Sequence, residues 1–181
     1  DGGAIYLLSE IERRLNNFEA AEAAARQVIA LEPDGARGIY ALAQVFLDRR
    51  QYRELVEVVE PFVRDLRERG SAPRELAMLL VQSGASHLTL GDSEAALAAF
   101  ELARDAAPDD PIMEAYLGQA YLESGQPEDA VASLSEARER HADDLRLDGM
   151  YARALVATGR ADQGIGVMET AVARHAENPI A

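Results

Sequence analysis

The chain has 181 residues, 18 of them basic and 32 acidic, with no cysteine, a formal net charge of -14 and an apolar fraction of 48%. That apolar content suffices for a buried core and argues against disorder. The missing cysteines exclude disulfides, thiolate metal sites and a cysteine nucleophile. So acidic a chain is a poor partner for nucleic acid or an anionic membrane surface, because both are polyanions. No apolar run reaches membrane-spanning length, so no direct membrane insertion is expected, and the first residues lack a basic-then-apolar signal pattern. All 18 basic residues are arginine, and alanine is the commonest residue.

Apolar residues recur at three- and four-residue spacing along the chain, and Ala, Leu, Glu and Arg dominate, which predicts helices and no strands. Turn signals divide the helices. The first pair is parted at Leu15-Asn16-Asn17-Phe18 and closes near Glu32-Pro33-Asp34-Gly35. In the second, Leu42, Ala43 and Phe46 precede Tyr52, the counterpart of Phe18 one unit on. The third turns at Leu90-Gly91-Asp92-Ser93 and closes near Pro108 to Pro111. The fourth opens on Pro111, which suits a first helical turn, and parts at Ser124-Gly125-Gln126-Pro127. The fifth parts at Thr158-Gly159-Arg160-Ala161 and closes near Glu177-Asn178-Pro179. Gly91, Gly125 and Gly159 are evenly spaced, and Phe18 and Tyr52 are separated by the same interval. Between the second and third units the step is longer, an insertion of seven. The expected units are about 2–35, 36–76 with the insertion, 77–110, 111–144 and 145–178.

The pattern resembles the tetratricopeptide repeat family over nearly the whole chain. A large apolar residue followed by a small one marks the first helix as Leu8-Ser9, Leu42-Ala43, Leu117-Gly118 and Tyr151-Ala152, while Ser83-Gly84 keeps only the small half. The small residue early in the second helix is Ala21, Ala96, Ala130 or Gly164, with Leu55 departing. The later one is Ala103, Ala137 or Ala171, with Val28 and Phe62 departing. The closing proline is present as Pro33 and Pro108. The resemblance implies an all-α, right-handed α-solenoid of antiparallel helix pairs. Helices that cross at close range cannot hold bulky side chains at the crossing, so small residues belong there and Tyr121, Phe100 and Leu134 fill the space beside them.

In this family the first helices line a concave, peptide-binding side. The register places Tyr6, Leu7 and Glu10 there from the first unit, and Arg37, Tyr40, Gln44 and Asp48 from the second. It adds Met78, Val81, Gln82 and Ala85, then Ile112, Tyr116, Gln119 and Glu123, and finally Arg146, Met150 and Arg153. Tyr and Arg anchor interfaces and Gln can bond an extended backbone. The competing reading is that Tyr40 and Tyr116 simply pack between helices. Some family members clamp a C-terminal carboxylate with Lys, Asn and Arg, but the corresponding places carry Tyr6, Glu10, Ala41, Met78 and Gln82. The clamp is absent, and an apolar or amphipathic segment fits better.

Around the insertion, Arg64, Arg67, Arg69 and Arg74 either receive an acidic partner or pair with Glu60, Asp65 and Glu68 as a solvated face. The extra residues are expected to lengthen the flanking helices, and Pro61 to kink its own. His141 and His175 occupy equivalent places near the ends of second helices, too far apart to share a metal, and His87 reads as a partly buried packing residue. No nucleophile triad, phosphate loop or metal spacing appears, so no catalytic residue, cofactor or metal is expected. At the C-terminus, Asn178-Pro179-Ile180-Ala181 repeats Asp110-Pro111-Ile112-Met113, the expected start of a sixth unit at 179–181 and the sign of a fragment of a longer protein, with a natural terminus that tolerates exposure as the alternative. Three functions follow: a scaffold for a peptide or helix, a module that self-associates through uncapped ends, and a regulatory arm of a larger enzyme. The Arg and Ala usage without Lys suggests a G+C-rich bacterial genome.

Overall fold

A computed structural model describes residues 1–33, 35–69 and 76–177, with side chains at all of these except 66, 67, 69 and 177. Among the described residues there are ten helices and no strand. They are α1 Gly2–Arg14, α2 Phe18–Leu31, α3 Ala36–Asp48, α4 Tyr52–Arg69, α5 Ala77–Leu90, α6 Ser93–Ala106, α7 Pro111–Glu123, α8 Pro127–Arg140, α9 Leu145–Ala157 and α10 Ala161–Glu177. Each odd-numbered helix pairs with the next even-numbered one, and each pair packs on its neighbours along the chain.

Local chemistry sets the helix ends. Asp1, Asp92, Asp110 and Asp144 each accept a hydrogen bond from a backbone N–H of the first turn, satisfying donors that have no partner inside the helix. Inside every pair the chain reverses through one residue of positive φ: Asn16 (60°), Arg50 (56°), Gly91 (83°), Gly125 (72°) and Gly159 (80°). These five are evenly spaced apart from the longer step between Arg50 and Gly91, which holds the insertion, so the sequence period is written into the backbone. A Cβ at any of the three glycines would meet nothing within 4 Å, so only the left-handed backbone calls for glycine there.

The helices of a pair cross where side chains are smallest. A Cβ on Gly84 would lie 2.8 Å from the ring of Phe100, and one on Gly118 would lie 2.6 Å from Leu134. In the last pair the close approach comes from the other side: a Cβ on Gly164 would sit 2.9 Å from the carbonyl oxygen of Ala152. In the first pair Ser9 occupies the equivalent place, fully buried, and its Oγ donates to the Ala21 carbonyl at 2.8 Å. Phe100 and Leu134 are fully buried over these points, as the register requires, and half-buried Tyr121 packs against both core clusters, one spanning the first four pairs and the other the last two.

The fourth helix departs from its siblings. It has 18 residues where α2, α6 and α8 have 14 and α10 has 17, and it runs into the inserted stretch. The second helices bury a stripe at i, i+4 and i+7, as in Ala21, Ala25 and Val28 or Ala96, Phe100 and Ala103. In α4 the buried residues are Leu55, Val59 and Val63, with Phe62 only half-buried. The stripe slips by one residue past Pro61, whose ring nitrogen cannot donate to the preceding turn. Two of the three departures from the small-residue pattern, Leu55 and Phe62, belong to this one altered helix, while Val28 stands on α2.

Charge fixes the junctions. Arg13 on α1 reaches Asp48 on α3 at 2.6 Å, and Arg49 reaches Glu22 on α2 at 3.1 Å. Within the fourth pair, Arg140 bonds the buried carboxylate of Glu114 at 2.6 Å, and it also reaches back to the Pro108 carbonyl at the end of the third pair at 3.0 Å. One period later, Arg174 bonds the buried carboxylate of Asp148 at 3.1 Å and also the Ala142 carbonyl. Arg138 supplies Asp148 with a second bond at 2.7 Å while its guanidinium lies 4.6 Å over the ring of Tyr151.

Replacing Gly125 with Ala tests the turn. The expected loss is about 1–2 kcal/mol, all of it backbone cost in the left-handed region, read as a lower urea midpoint at unchanged slope. Arg50→Gly is expected to leave the midpoint unchanged or raise it.

Candidate peptide-binding face

Among the described residues, first helices of neighbouring pairs pack on one another, α1 on α3, α5 on α7 and α7 on α9, whereas of the second helices α4 and α6 make the one comparable contact, a slighter one. The odd-numbered helices therefore form the inner rim of the stack. At the insertion the rim opens, since α3 and α5 do not pack in this way.

On the N-terminal part of the rim, Tyr6 and Tyr40 are half-buried and pack against the core. Burial holds the Tyr6 phenol above its ordinary pKa, with Glu10 and then Tyr40 adding to the effect. Glu10 is bound to Arg13 at 3.2 Å, and Asp48 is taken up by the same guanidinium. Arg37 is half exposed, 3.6 Å from Glu32. Gln44 is half-buried, Met78 is 41% exposed, and Val81 is buried rather than presented. Gln82 is half-buried, and its Oε1 is shielded from solvent without a hydrogen-bond partner.

The C-terminal part of the rim is more open. Ile112, Tyr116, Gln119, Arg146, Met150 and Arg153, all placed on this face by the repeat register, line one cavity of about 520 Å3 between α7 and α9, together with Ala115, Leu145 and Gly149. A second cavity of about 290 Å3 adjoins it, walled by Ala85, Phe100, Tyr116, Gln119 and Glu123. Tyr116 stacks on Phe100, with ring centroids 6.2 Å apart and planes 12° from parallel. The tyrosine thus packs on Phe100 and also lines both cavities. Gln119 donates to Glu123 at 2.6 Å. Arg146 is held by Asp144 through two bonds of 3.1 and 2.6 Å, and that guanidinium is the chief reason the Asp144 carboxyl stays below its ordinary pKa.

The structure adds groups that the register alone did not single out. The buried carboxylates Glu114 and Asp148 are one, and their signal in the sequence was the recurrence of acid and arginine together, one repeat period apart. Another is a cleft of about 1050 Å3 on α9 and α10, lined by Val156, Ile165, Met168 and Val172 among others. His87 is buried with Glu60 3.6 Å from Nε2 and Asp92 3.5 Å from Nδ1, a polar setting rather than a packing role alone. His141 caps the end of α8 and His175 lies in the last turn of α10, each with a buried Nε2 that has no hydrogen-bond partner. Among the described residues no three acidic or imidazole groups gather as metal ligands, and no helix is long and apolar enough to cross a membrane. Arg74, the side chains of Arg67 and Arg69, and the expected sixth unit at 179–181 lie outside the described residues.

Family models described as tetratricopeptide repeat match residues 6–54, 87–150 and 121–181. The chain belongs to the tetratricopeptide repeat family. MamA from Desulfovibrio magneticus RS-1 superposes with a TM-score of 0.76 at 18% identity, covering 99% of this chain and 98% of that one. A putative kinesin light chain from Podosopora anserina, with nearly identical TPR-like repeats, gives 0.78 at 17%, covering 98% and 96%. YrrB, described as a TPR protein with an unusual peptide-binding site, gives 0.73 at 15%, covering 98% and 88%. At these identities the likeness is one of fold, and the fold is the all-α solenoid of antiparallel helix pairs expected from the sequence. No curated protein matches the sequence. A tetratricopeptide repeat solenoid is, as a class, a scaffold for protein–protein interaction.

Proposed function

We propose that this tetratricopeptide repeat chain is a non-catalytic scaffold that holds a peptide or helical segment of another protein against the inner rim of α1, α3, α5, α7 and α9. The observation that carries the reading is the 520 Å3 cavity between α7 and α9, mainly apolar, with Tyr116, Gln119 and Arg153 at its wall. Cavities of this size with a few fixed polar groups are where ligands bind. Tyr40 offers a second aromatic anchor further along the rim, half-buried and held in place by core packing. The peptide-binding site named for YrrB supports the same class of ligand on this fold. The net charge of -14 supports a protein partner rather than nucleic acid.

Tyr40→Ala and Tyr116→Ala check the assignment. Capture of partners from native lysate is expected to fall at least about tenfold for each variant, a loss of about 1.4 kcal/mol. Both variants should keep the helical circular dichroism of the parent. Unchanged capture by both would remove the inner rim from consideration.

A second reading is favoured by a separate observation. Leu7, Leu8 and Ile11 on α1 and Leu15 just past its end are 49–63% exposed, although Leu42 and Leu117, the counterparts of Leu8, are buried. With the open cleft on α9 and α10, they present two apolar surfaces suited to self-association. Sedimentation over a concentration series should then show growing oligomers, and a monomer at every concentration would end this reading.

A further inference from the structure

On the inner face of α9 one position is empty. Gly149 is the counterpart of Tyr6, Tyr40, Val81 and Ala115 in the other first helices. A Cβ added there would meet nothing within 4 Å, and no unusual backbone angle requires glycine. Gly149 lines both the 520 Å3 cavity and the 1050 Å3 cleft, so the missing side chain joins the two spaces. One turn later Arg153 also borders both.

The charge of this spot runs against that of the chain. The charged residues lining the smaller cavity are Arg146 and Arg153, with no carboxylate between them, in a protein of net charge -14. Arg146 is neutralised by Asp144. Arg153 is exposed, and among the described residues its guanidinium makes no ion pair; its one bond is to the Met150 sulfur at 3.5 Å. Glu169 lines the larger cleft together with Arg153 and does not line the smaller cavity. An unpaired guanidinium beside an apolar gap is complementary to a carboxylate beside an apolar side chain.

We propose that this part of the rim takes an extended acidic peptide segment, with an apolar side chain lodged over Gly149 and an Asp or Glu two residues away on Arg153. Helix geometry sets that spacing. Four residues of α9 span about 6 Å along its axis, and alternate residues of an extended chain, which share a face, lie about 6.6 Å apart. The inference rests on the inner-rim reading above and deepens it by naming the chemistry of the ligand.

The probe is a random peptide library displayed on phage and selected on the 181-residue chain, followed by fluorescence anisotropy with synthetic copies of the enriched sequences. Enrichment of an apolar residue with Asp or Glu two positions away is expected. Gly149→Leu should weaken those peptides at least about tenfold, because it fills the gap without displacing any neighbour. That variant should melt no lower than the parent, since Leu favours helix over Gly. Arg153→Glu should weaken them by at least as much, and added salt should weaken the parent complex. Enriched peptides without acidic residues, or acidic peptides indifferent to Gly149→Leu and Arg153→Glu, would overturn the proposal. If such peptides are instead sensitive to Tyr40→Ala, the inner rim stands as the binding face and only this subsite fails. Enrichment of no sequence at all would overturn both.

Discussion

The fold depends on one constraint: in each pair the first helix carries a small residue where its partner comes closest. Ser9, Ala43, Gly84, Gly118 and Ala152 stand at equivalent places in the five first helices, and all are buried. Where the residue is glycine, the partner helix lays Phe100 or Leu134 directly over the bare Cα. A larger residue there would have to push the helices apart, and a packed interior has little slack for that. Close pairs, repeated at a fixed period, give a stack in which each pair rests on its neighbours. The inner rim, and with it any surface for a ligand, is a consequence of that repetition.

Electrostatics refine the stack more than they hold it together. Burying Glu114 and Asp148 costs hydration, which two arginine partners for Asp148, and an arginine with a nearby serine for Glu114, offset. Asp148 on α9 takes one of its arginines, Arg138, from the preceding pair and the other, Arg174, from its own. A pair shifted along its neighbour would therefore cost this buried carboxylate a partner, whereas Glu114 is held from within its own pair. Register is what the Asp148 clamp specifies. At the insertion His87 on α5 lies 3.6 Å from Glu60 on α4, and there the rim opens between α3 and α5. A strongly acidic chain thus commits several of its arginines to junctions, which makes the unpaired Arg153 on the inner face the more conspicuous.

Much of this was legible in the sequence because the constraints are local and periodic. Gly91, Gly125 and Gly159 announced the turns, and the same backbone angle at Asn16 and Arg50 shows that the period continues where glycine does not. The lining of the α7–α9 cavity also followed from the register, because residues three, four and seven apart on one helix share a face. What escaped depends on distance or on absence. The partners of Glu114 and Asp148 lie 26 residues away or ten in a neighbouring helix, and no local pattern joins them. The shift from Phe62 to Val63 lies two residues past Pro61, where the repeat period alone predicts no slip. Gly149 reads in sequence as an ordinary helical glycine, and only the empty space around it gives it meaning.

Native-state hydrogen exchange, resolved by residue, tests the crossing constraint most directly. If each pair is locked by its small-residue crossing and coupled less strongly to its neighbours, the amides of α7 and α8 will share one opening free energy, and so will those of α5 and α6. Values will step between pairs and fall toward α1 and α10. A single opening free energy from α1 to α10, or two helices of one pair exchanging independently, would contradict it.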